Sequence, residues 1–140
     1  GAELQSEAVA LARENAENLG IEATFIESDL FGQVEGKFDL IVSNPPYIES
    51  EVIQTLDREV REHEPMSALD GGADGLDFYR IITKEARKYL SRGGKIFYEI
   101  GYNQAQDVSD ILRRNGYIDI VVKKDLAGLN RVVYATYLED

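Results

Sequence analysis

Residues 38–43 read Phe-Asp-Leu-Ile-Val-Ser, a short and nearly continuous apolar run. Such a run reads as a strand covered on both faces, which is the habit of parallel sheets flanked by helices. The rest of the chain agrees, because helical and extended periods alternate along it. Residues 6–19 place Val9, Ala12, Ala16 and Leu19 on one helical face, with Ser6 as N-cap and Gly20 just past the end. Residues 23–27 read as a short strand. Helical period returns over 75–90 through Leu76, Tyr79, Ile82, Ala86 and Tyr89, stopped by Gly93-Gly94, and 95–100 form the next buried strand. A helix over 103–114 is closed by Asn115-Gly116. Strands over 117–123 and 131–138 are joined by 125–130, too tightly for a helical crossover, so they pair antiparallel. The expectation is α/β, a mainly parallel sheet with an antiparallel C-terminal strand pair, with residues 1–140 forming one domain.

Composition narrows the function. The chain carries 26 acidic against 15 basic residues, a net charge of −11, which repels a phosphate backbone at long range and argues against direct nucleic-acid binding. Its one basic cluster, Lys84, Arg87, Lys88, Arg92 and Lys95, reads as the solvated face of a helix. There is no cysteine, so a disulfide framework and a thiolate zinc site are both excluded. No apolar run is long enough to span a membrane, and a soluble cytoplasmic protein is the expectation.

Directly after the apolar strand stands Asn44-Pro45-Pro46-Tyr47. Ligands of doubly wound sheets bind beyond the carboxyl ends of strands. Paired prolines hold the backbone extended and offer no N–H, so nearby carbonyls are rigidly aimed and partly free. The nitrogen of an amide or aromatic amine attacks poorly, because its lone pair is delocalised. The Asn44 side-chain oxygen and the Pro45 carbonyl could each accept one N–H of such a group. That would favour pyramidalisation and direct the lone pair at a methyl group, while Tyr47 stacks on the planar group. The bland alternative is a rigid turn. Residues 48–74 follow without clear period and contain Pro65 and Gly71-Gly72, a length of irregular chain that is usually functional.

The stretch 38–48 resembles the core motif of the HemK-type release-factor glutamine methyltransferases. The likeness continues through Glu64-Pro65, Ala68-Leu69, Gly71-Gly72, Asp74-Gly75-Leu76-Asp77-Phe78-Tyr79, Glu99-Ile100-Gly101, Asp125-Leu126-Ala127-Gly128 and Arg131-Val132-Val133, essentially the whole chain. The tetrapeptide is shared with DNA adenine and some RNA guanine methyltransferases. The blocks at 74–79 and 125–128 are far more specific to the protein-glutamine group. The resemblance implies a class I (Rossmann-like) methyltransferase fold, S-adenosyl-L-methionine as cofactor, and peptide chain release factors as protein substrates. The methyl would go to the side-chain amide of the glutamine in their Gly-Gly-Gln loop. Asn44, Pro45, Pro46 and Tyr47 would form the glutamine pocket, with Asn44, Pro45 and Tyr47 catalytic and Asn44 also near the cofactor. Asp29 and Leu30 match the position flanking the adenine, and Glu3 the acid that binds the ribose. Blander readings stand beside these: Asp29 as a turn cap, Glu3 as a solvated charge, Glu99 as a residue that orients backbone, His63 as a loop residue, and 74–79 as a helix start packed beneath the site.

The family's domain opens with a strand and a glycine-rich loop. Neither Gly71-Gly72 nor Gly93-Gly94 stands between a strand and a helix, so the resemblance implies a truncated domain missing the first strand, most of the second and that loop. Residues 23–27 should then lack a neighbour and the edge of 38–43 should be unpaired. The expected consequences are rearrangement, self-association across the exposed edge or poor packing of residues 1–36, with weakened cofactor binding and impaired activity. The alternatives are a DNA or RNA amino-methyltransferase acting on adenine N6 or guanine N2, and a non-catalytic partner-binding fragment.

Overall fold

The computed structural model describes residues 1–56 and 58–139, which divide into two compact units, Gly1–Gly36 and Lys37–Asp140. The first unit holds β1 (Ala2–Glu3), α1 (Ser6–Leu19) and β2 (Ile26–Glu27). Helix α1 has the bounds its periodicity indicates, and it ends on Gly20 in the left-handed conformation, whose N–H returns to the Ala16 and Glu17 carbonyls. Ser6 is the first helical residue and Gln5 takes the N-cap position, one place earlier than expected. The strand expected over 23–27 is confined to Ile26–Glu27. Upstream, the chain is drawn off by other partners, because the N-terminal ammonium donates to the Thr24 carbonyl and the Arg13 guanidinium to the Phe25 carbonyl. The expectation that this strand lacks a neighbour is also corrected. It pairs parallel with β1, in register Ala2↔Ile26 and Glu3↔Glu27.

The second unit begins with β3 (Phe38–Ser43), continues through the short helices α2 (Ser50–Ile53), α3 (Arg58–His63) and α4 (Met66–Leu69), and then α5 (Asp77–Ala86). It is completed by β4 (Leu90–Glu99), α6 (Ala105–Arg114), β5 (Ile118–Lys124) and β6 (Asn130–Thr136). Its sheet has the order β3-β4-β6-β5 and is mixed. Strand β3 runs parallel to β4, while β6 runs antiparallel to both β4 and β5. The hairpin at 125–130 thus closes as its length requires, and β3 is an edge strand of this sheet.

Helices α5 and α6 bury one face of the sheet. Tyr79, Ile82, Ala86, Val108 and Leu112 pack there with Ile96, Tyr98, Val133 and Ala135, all buried. Polar groups in this core are matched: the Thr83 and Tyr98 hydroxyls are 2.8 Å apart, and the Tyr117 hydroxyl donates to the Thr83 carbonyl. Strand β3 is not covered on both faces, as its composition had indicated. Ile41 and Ser43, in register with Ile96 and Tyr98, are half-buried, whereas Phe38, Leu40 and Val42 on the opposite face are exposed, Val42 at 71%.

Three further expectations are corrected. The helix expected over 75–90 stops at Ala86, because Leu90 already opens β4 opposite Phe38 and Tyr89 gives its carbonyl to the Phe38 N–H. Gly93-Gly94 therefore lies inside strand β4 and does not end a helix. The segment 48–74 is not irregular throughout, since it holds α2, α3 and α4, and His63 ends α3 as an exposed residue. The basic cluster is no single helical face either. Arg92 and Lys95 belong to β4, Lys95 donates to the Thr136 hydroxyl, and Arg87 lies over the Tyr137 ring and pairs with Glu139.

Candidate functional site

The residues singled out in the first unit come together at the carboxyl ends of β1 and β2. Glu3 closes β1, and its carbonyl takes the Ser28 N–H at 2.8 Å, which sets Ser28-Asp29-Leu30 beside it. The Glu3 carboxylate accepts the Gln5 N–H at 3.0 Å and remains exposed. Asp29 is exposed, and its carbonyl receives the Gly32 N–H, so a turn does form here. Leu30 sits at φ 50 and its carbonyl is held by the Ser28 hydroxyl at 2.8 Å. A non-glycine residue in the left-handed region is uncommon and persists where surrounding bonds over-determine it. Two exposed carboxylates thus stand at neighbouring strand ends, on a turn braced from within.

In the second unit, Asn44-Pro45-Pro46-Tyr47 leaves the carboxyl end of β3 beside the end of β4, where Ser43 is in register with Tyr98. Asn44 is exposed, and no hydrogen bond to a described residue ties down its side chain. Pro45 is buried, and no described donor reaches its carbonyl. Tyr47 is half-buried and directs its hydroxyl at a Glu99 carboxylate oxygen, 3.4 Å away. Glu99 in turn gives its carbonyl to the buried Tyr79 hydroxyl at 2.6 Å. Burial pushes the Tyr79 phenol well above its ordinary value, with Tyr47 and Glu99 adding to the effect, so it stays a neutral donor. Glu99 thus accepts from Tyr47 through its side chain and from Tyr79 through its backbone.

The corner is held from behind by one glycine-lined segment, 69–75. Ile48 exchanges backbone bonds with Leu69 and Gly71 at 3.1 and 2.8 Å. A Cβ on Gly71 would stand 2.8 Å from both the Pro46 carbonyl and the Tyr47 Cα, so only glycine allows that approach. Gly75, at φ +72, lies against the Tyr47 carbonyl in the same way. Asp70 accepts from the Ser50 hydroxyl at 2.6 Å and from the Gly72 N–H at 2.9 Å. These two bonds, the hydroxyl's first, hold the Asp70 carboxyl below its ordinary range. Asp74 pairs with Arg80, which lowers its carboxyl likewise, and accepts the Leu76 N–H at the start of α5. The 74–79 block is thus a helix start under the corner. The 125–128 block is a hairpin turn, in which the Asp125 carboxylate takes the Ala127 and Leu129 amides and the Arg131 guanidinium. Arg131 also donates to the Ile100 carbonyl at 3.1 Å, anchoring the hairpin to the end of β4.

Gln104 is the residue that sequence reading missed. It looked like the first turn of a helix, but it occupies the N-cap position of α6 and is buried, bonded to the Gly101 amide, the Tyr47 carbonyl and the Gly75 carbonyl. Among the described residues no cluster of His, Asp or Glu is arranged to hold a metal.

Comparison with known proteins places this architecture. The family model of the methyltransferase small domain matches residues 1–62. The release factor glutamine methyltransferase of Geobacter sulfurreducens is 47% identical over 134 residues, covering 95% of this chain and 47% of the relative. The chain's resemblance is to release factor glutamine methyltransferases. The solved protein-(glutamine-N5) methyltransferase (release factor-specific) of Alicyclobacillus acidocaldarius superposes with a TM-score of 0.53 at 25% identity, over 99% of this chain and 78% of that one. A methyltransferase from Pyrococcus furiosus shares the fold, with a TM-score of 0.71 at 20% identity over 99% of this chain and 61% of that one. The fold is that of the class I S-adenosylmethionine-dependent methyltransferases. The chain spans about half the length of the curated relatives it matches. Within that resemblance the 74–79 and 125–128 blocks have a plain physical role. They brace the strand ends from which the proline corner projects.

Proposed function

We propose that the protein methylates the side-chain amide nitrogen of a glutamine in peptide chain release factors, with residues 44–47 as the glutamine pocket. One observation carries this reading: the Asn44 side chain stands exposed, with no described hydrogen-bond partner, next to a buried proline whose carbonyl is equally unclaimed. A buried carbonyl is ordinarily paired, so the unclaimed Pro45 oxygen is matched to a donor that arrives with a substrate, while the exposed Asn44 oxygen is open to exchange water for a second donor. A primary amide brings two N–H groups on one nitrogen, which two adjacent acceptors suit.

The Asn44 side-chain oxygen takes one N–H and the Pro45 carbonyl the other. This draws electron density away from conjugation with the amide carbonyl and turns the nitrogen lone pair outward. The half-buried Tyr47 ring, fixed through its hydroxyl to Glu99, lies against the flat amide. No general base is needed, because a methylated amide nitrogen still carrying both protons is strongly acidic and releases one to water. Positioning of this kind accounts for about 7–11 kcal/mol of a bimolecular barrier.

S-adenosylmethionine, when bound, supplies the activated methyl group. The exposed carboxylates at Glu3 and Asp29 fit such a group chemically: a carboxylate accepts two hydrogen bonds side by side, as vicinal ribose hydroxyls or an adenine amine require. We assign Glu3 to the ribose and Asp29 with Leu30 to the adenine, and Asn44 to a second contact with the cofactor. No helix among the described residues is long and apolar enough to cross a membrane, and release factors act in the cytoplasm, where the protein is assigned. The test is incubation of the protein at its natural length with isotopically labelled S-adenosylmethionine and, in separate reactions, a release factor, RNA or DNA, followed by mass spectrometry of the digested products. Label on the Gly-Gly-Gln glutamine supports the reading. Label confined to RNA or DNA, or no transfer at all, refutes it.

A further inference from the structure

The proline corner has a mechanical problem. Pro45 and Pro46 have no N–H, so two consecutive residues cannot be anchored by donating to the rest of the fold. Stiffness along the chain fixes the corner's shape, not its place. A pocket that works by aiming two acceptors needs its place fixed to within about 0.5 Å. The anchor must therefore come from a donor outside the corner that reaches one of its carbonyls.

Gln104 is that donor. Its Nε2 donates to the Tyr47 carbonyl at 2.9 Å and to the Gly75 carbonyl at 3.3 Å, while its Oε1 accepts the Gly101 N–H at 2.9 Å. The side chain is only 7% exposed, and each of its two amide protons and its oxygen has a partner. Three segments meet there: the corner after β3, the Gly71–Gly75 turn before α5, and the end of β4 running into α6. At Gly71 and Gly75 the approach excludes a side chain, and at Gly101 it is tight. A Cβ on Gly101 would stand 3.0 Å from Gln104 Oε1 and 3.4 Å from the Tyr47 ring, and one on Gly75 would stand 2.9 Å from Gln104 Nε2.

We infer that Gln104 is a positioning residue for glutamine methylation, which locks the Tyr47 carbonyl and thereby holds the Asn44 and Pro45 acceptors at the reacting nitrogen. The inference rests on the proposed reading of the corner as a glutamine pocket. No other residue type does the same work at this point. The side chain must present a neutral donor to two carbonyls and an acceptor to an amide at once, and a primary amide of this length does so without burying a charge.

Two variants separate the donor from the space it fills. Gln104→Met keeps the volume and removes all three bonds. Gln104→Glu keeps the acceptor for Gly101 but turns a carboxylate oxygen toward two carbonyls. Both are expected to lower kcat/KM for the release factor by about 100-fold, the loss that displacement of a reacting group by about 1 Å produces. KM for S-adenosylmethionine should change far less than kcat/KM for the release factor, since Glu3, Asp29 and Leu30, assigned to the ribose and adenine, are not part of the corner. Thr83→Val, which removes the buried Thr83–Tyr98 bond one turn along α5 from Tyr79, serves as a destabilised reference whose kinetics should match wild type. If Thr83→Val loses activity in parallel with its loss of stability, or if Gln104→Glu keeps wild-type kinetics, the positioning role is refuted. Hydrogen exchange gives a readout independent of the activity assignment. In Gln104→Met the Ile48 and Gly71 amides should exchange at least about tenfold faster, with the β4–β6 ladder unchanged. Unaltered exchange at both amides overturns the anchor even where the wild-type protein methylates glutamine. Faster exchange in Gln104→Met, where the wild-type protein transfers no methyl group to glutamine, sustains the anchor and removes only the glutamine assignment.

Discussion

Gly75→Ala tests whether the corner is held in the way its contacts indicate. Gly75 sits at φ +72, where an L-residue costs about 1–2 kcal/mol. The added methyl also meets the Tyr47 carbonyl, and stands 2.9 Å from Gln104 Nε2. The carbonyl is backbone and cannot yield without shifting the corner, so the side-chain amide must withdraw. Its bonds to the Tyr47 and Gly75 carbonyls are then lost, and leaving buried acceptors unpaired costs about 1–3 kcal/mol. The expected total is about 2–5 kcal/mol, a large part of the stability of a domain this size. Gly128→Ala is the matched control, because Gly128 has φ +80 and nothing within 4 Å of its Cβ position. It should lose only the conformational part, about 1–2 kcal/mol. Urea unfolding followed by tyrosine fluorescence reads both. At a slope of about 2 kcal/mol per molar, the midpoint should fall by roughly 1–2.5 M for Gly75→Ala and about 0.5–1 M for Gly128→Ala. Equal losses in the two variants would show that the close approach of Gly75 to the corner carries no energy, and the reasoning would fail.

Asn44→Ala removes one of the two acceptors and should lower kcat/KM for the release factor by about 100- to 1,000-fold, the usual loss for one preorganised polar contact at a reacting centre, with an unchanged unfolding midpoint. Tyr79→Phe deletes the hydroxyl that serves the Glu99 carbonyl and should cost about 1–3 kcal/mol in urea unfolding, because a part-buried acceptor is left without its donor. Asp70, Asp74 and Asp125 are held below their ordinary value of 3.8, chiefly by the Ser50 hydroxyl, the Arg80 guanidinium and the Leu129 amide respectively. Carboxyls lowered on folding contribute stability that is complete above the unfolded value and is lost as pH falls through the folded one. The melting temperature should therefore be flat from neutral pH down to about 5 and fall below the ordinary carboxyl value of 3.8, with a shallower fall in Asp70→Asn.

Much of this was legible in the sequence because local chemistry dominates where it was read correctly. The bounds of α1 follow from its apolar spacing and Gly20, and the antiparallel hairpin follows from the shortness of 125–130. The proline corner was visible as a motif, and its place at a strand end followed from the apolar run before it. Exposure was not legible. Phe38, Leu40 and Val42 are as apolar as core residues, and only the sheet order, which leaves β3 at an edge, decides that they face outward. The early end of α5 was hidden because Ala86, Tyr89 and Leu90 satisfy helical spacing while register with Phe38 claims Leu90 for β4. Gln104 carried no signal, since its role depends on two carbonyls that lie 57 and 29 residues away in sequence. Side-chain to backbone bonds of that range leave no periodic trace.

The central claim is that Asn44 and Pro45 read the two N–H groups of one amide nitrogen. It is tested most directly by comparing a Gly-Gly-Gln peptide with the same peptide already carrying one methyl on the glutamine nitrogen. The methylated peptide has a single N–H to offer, so it should bind at least about tenfold more weakly, and the reaction should stop at one methyl group. Equal affinity for the two peptides, or a dimethylated product, would contradict the account.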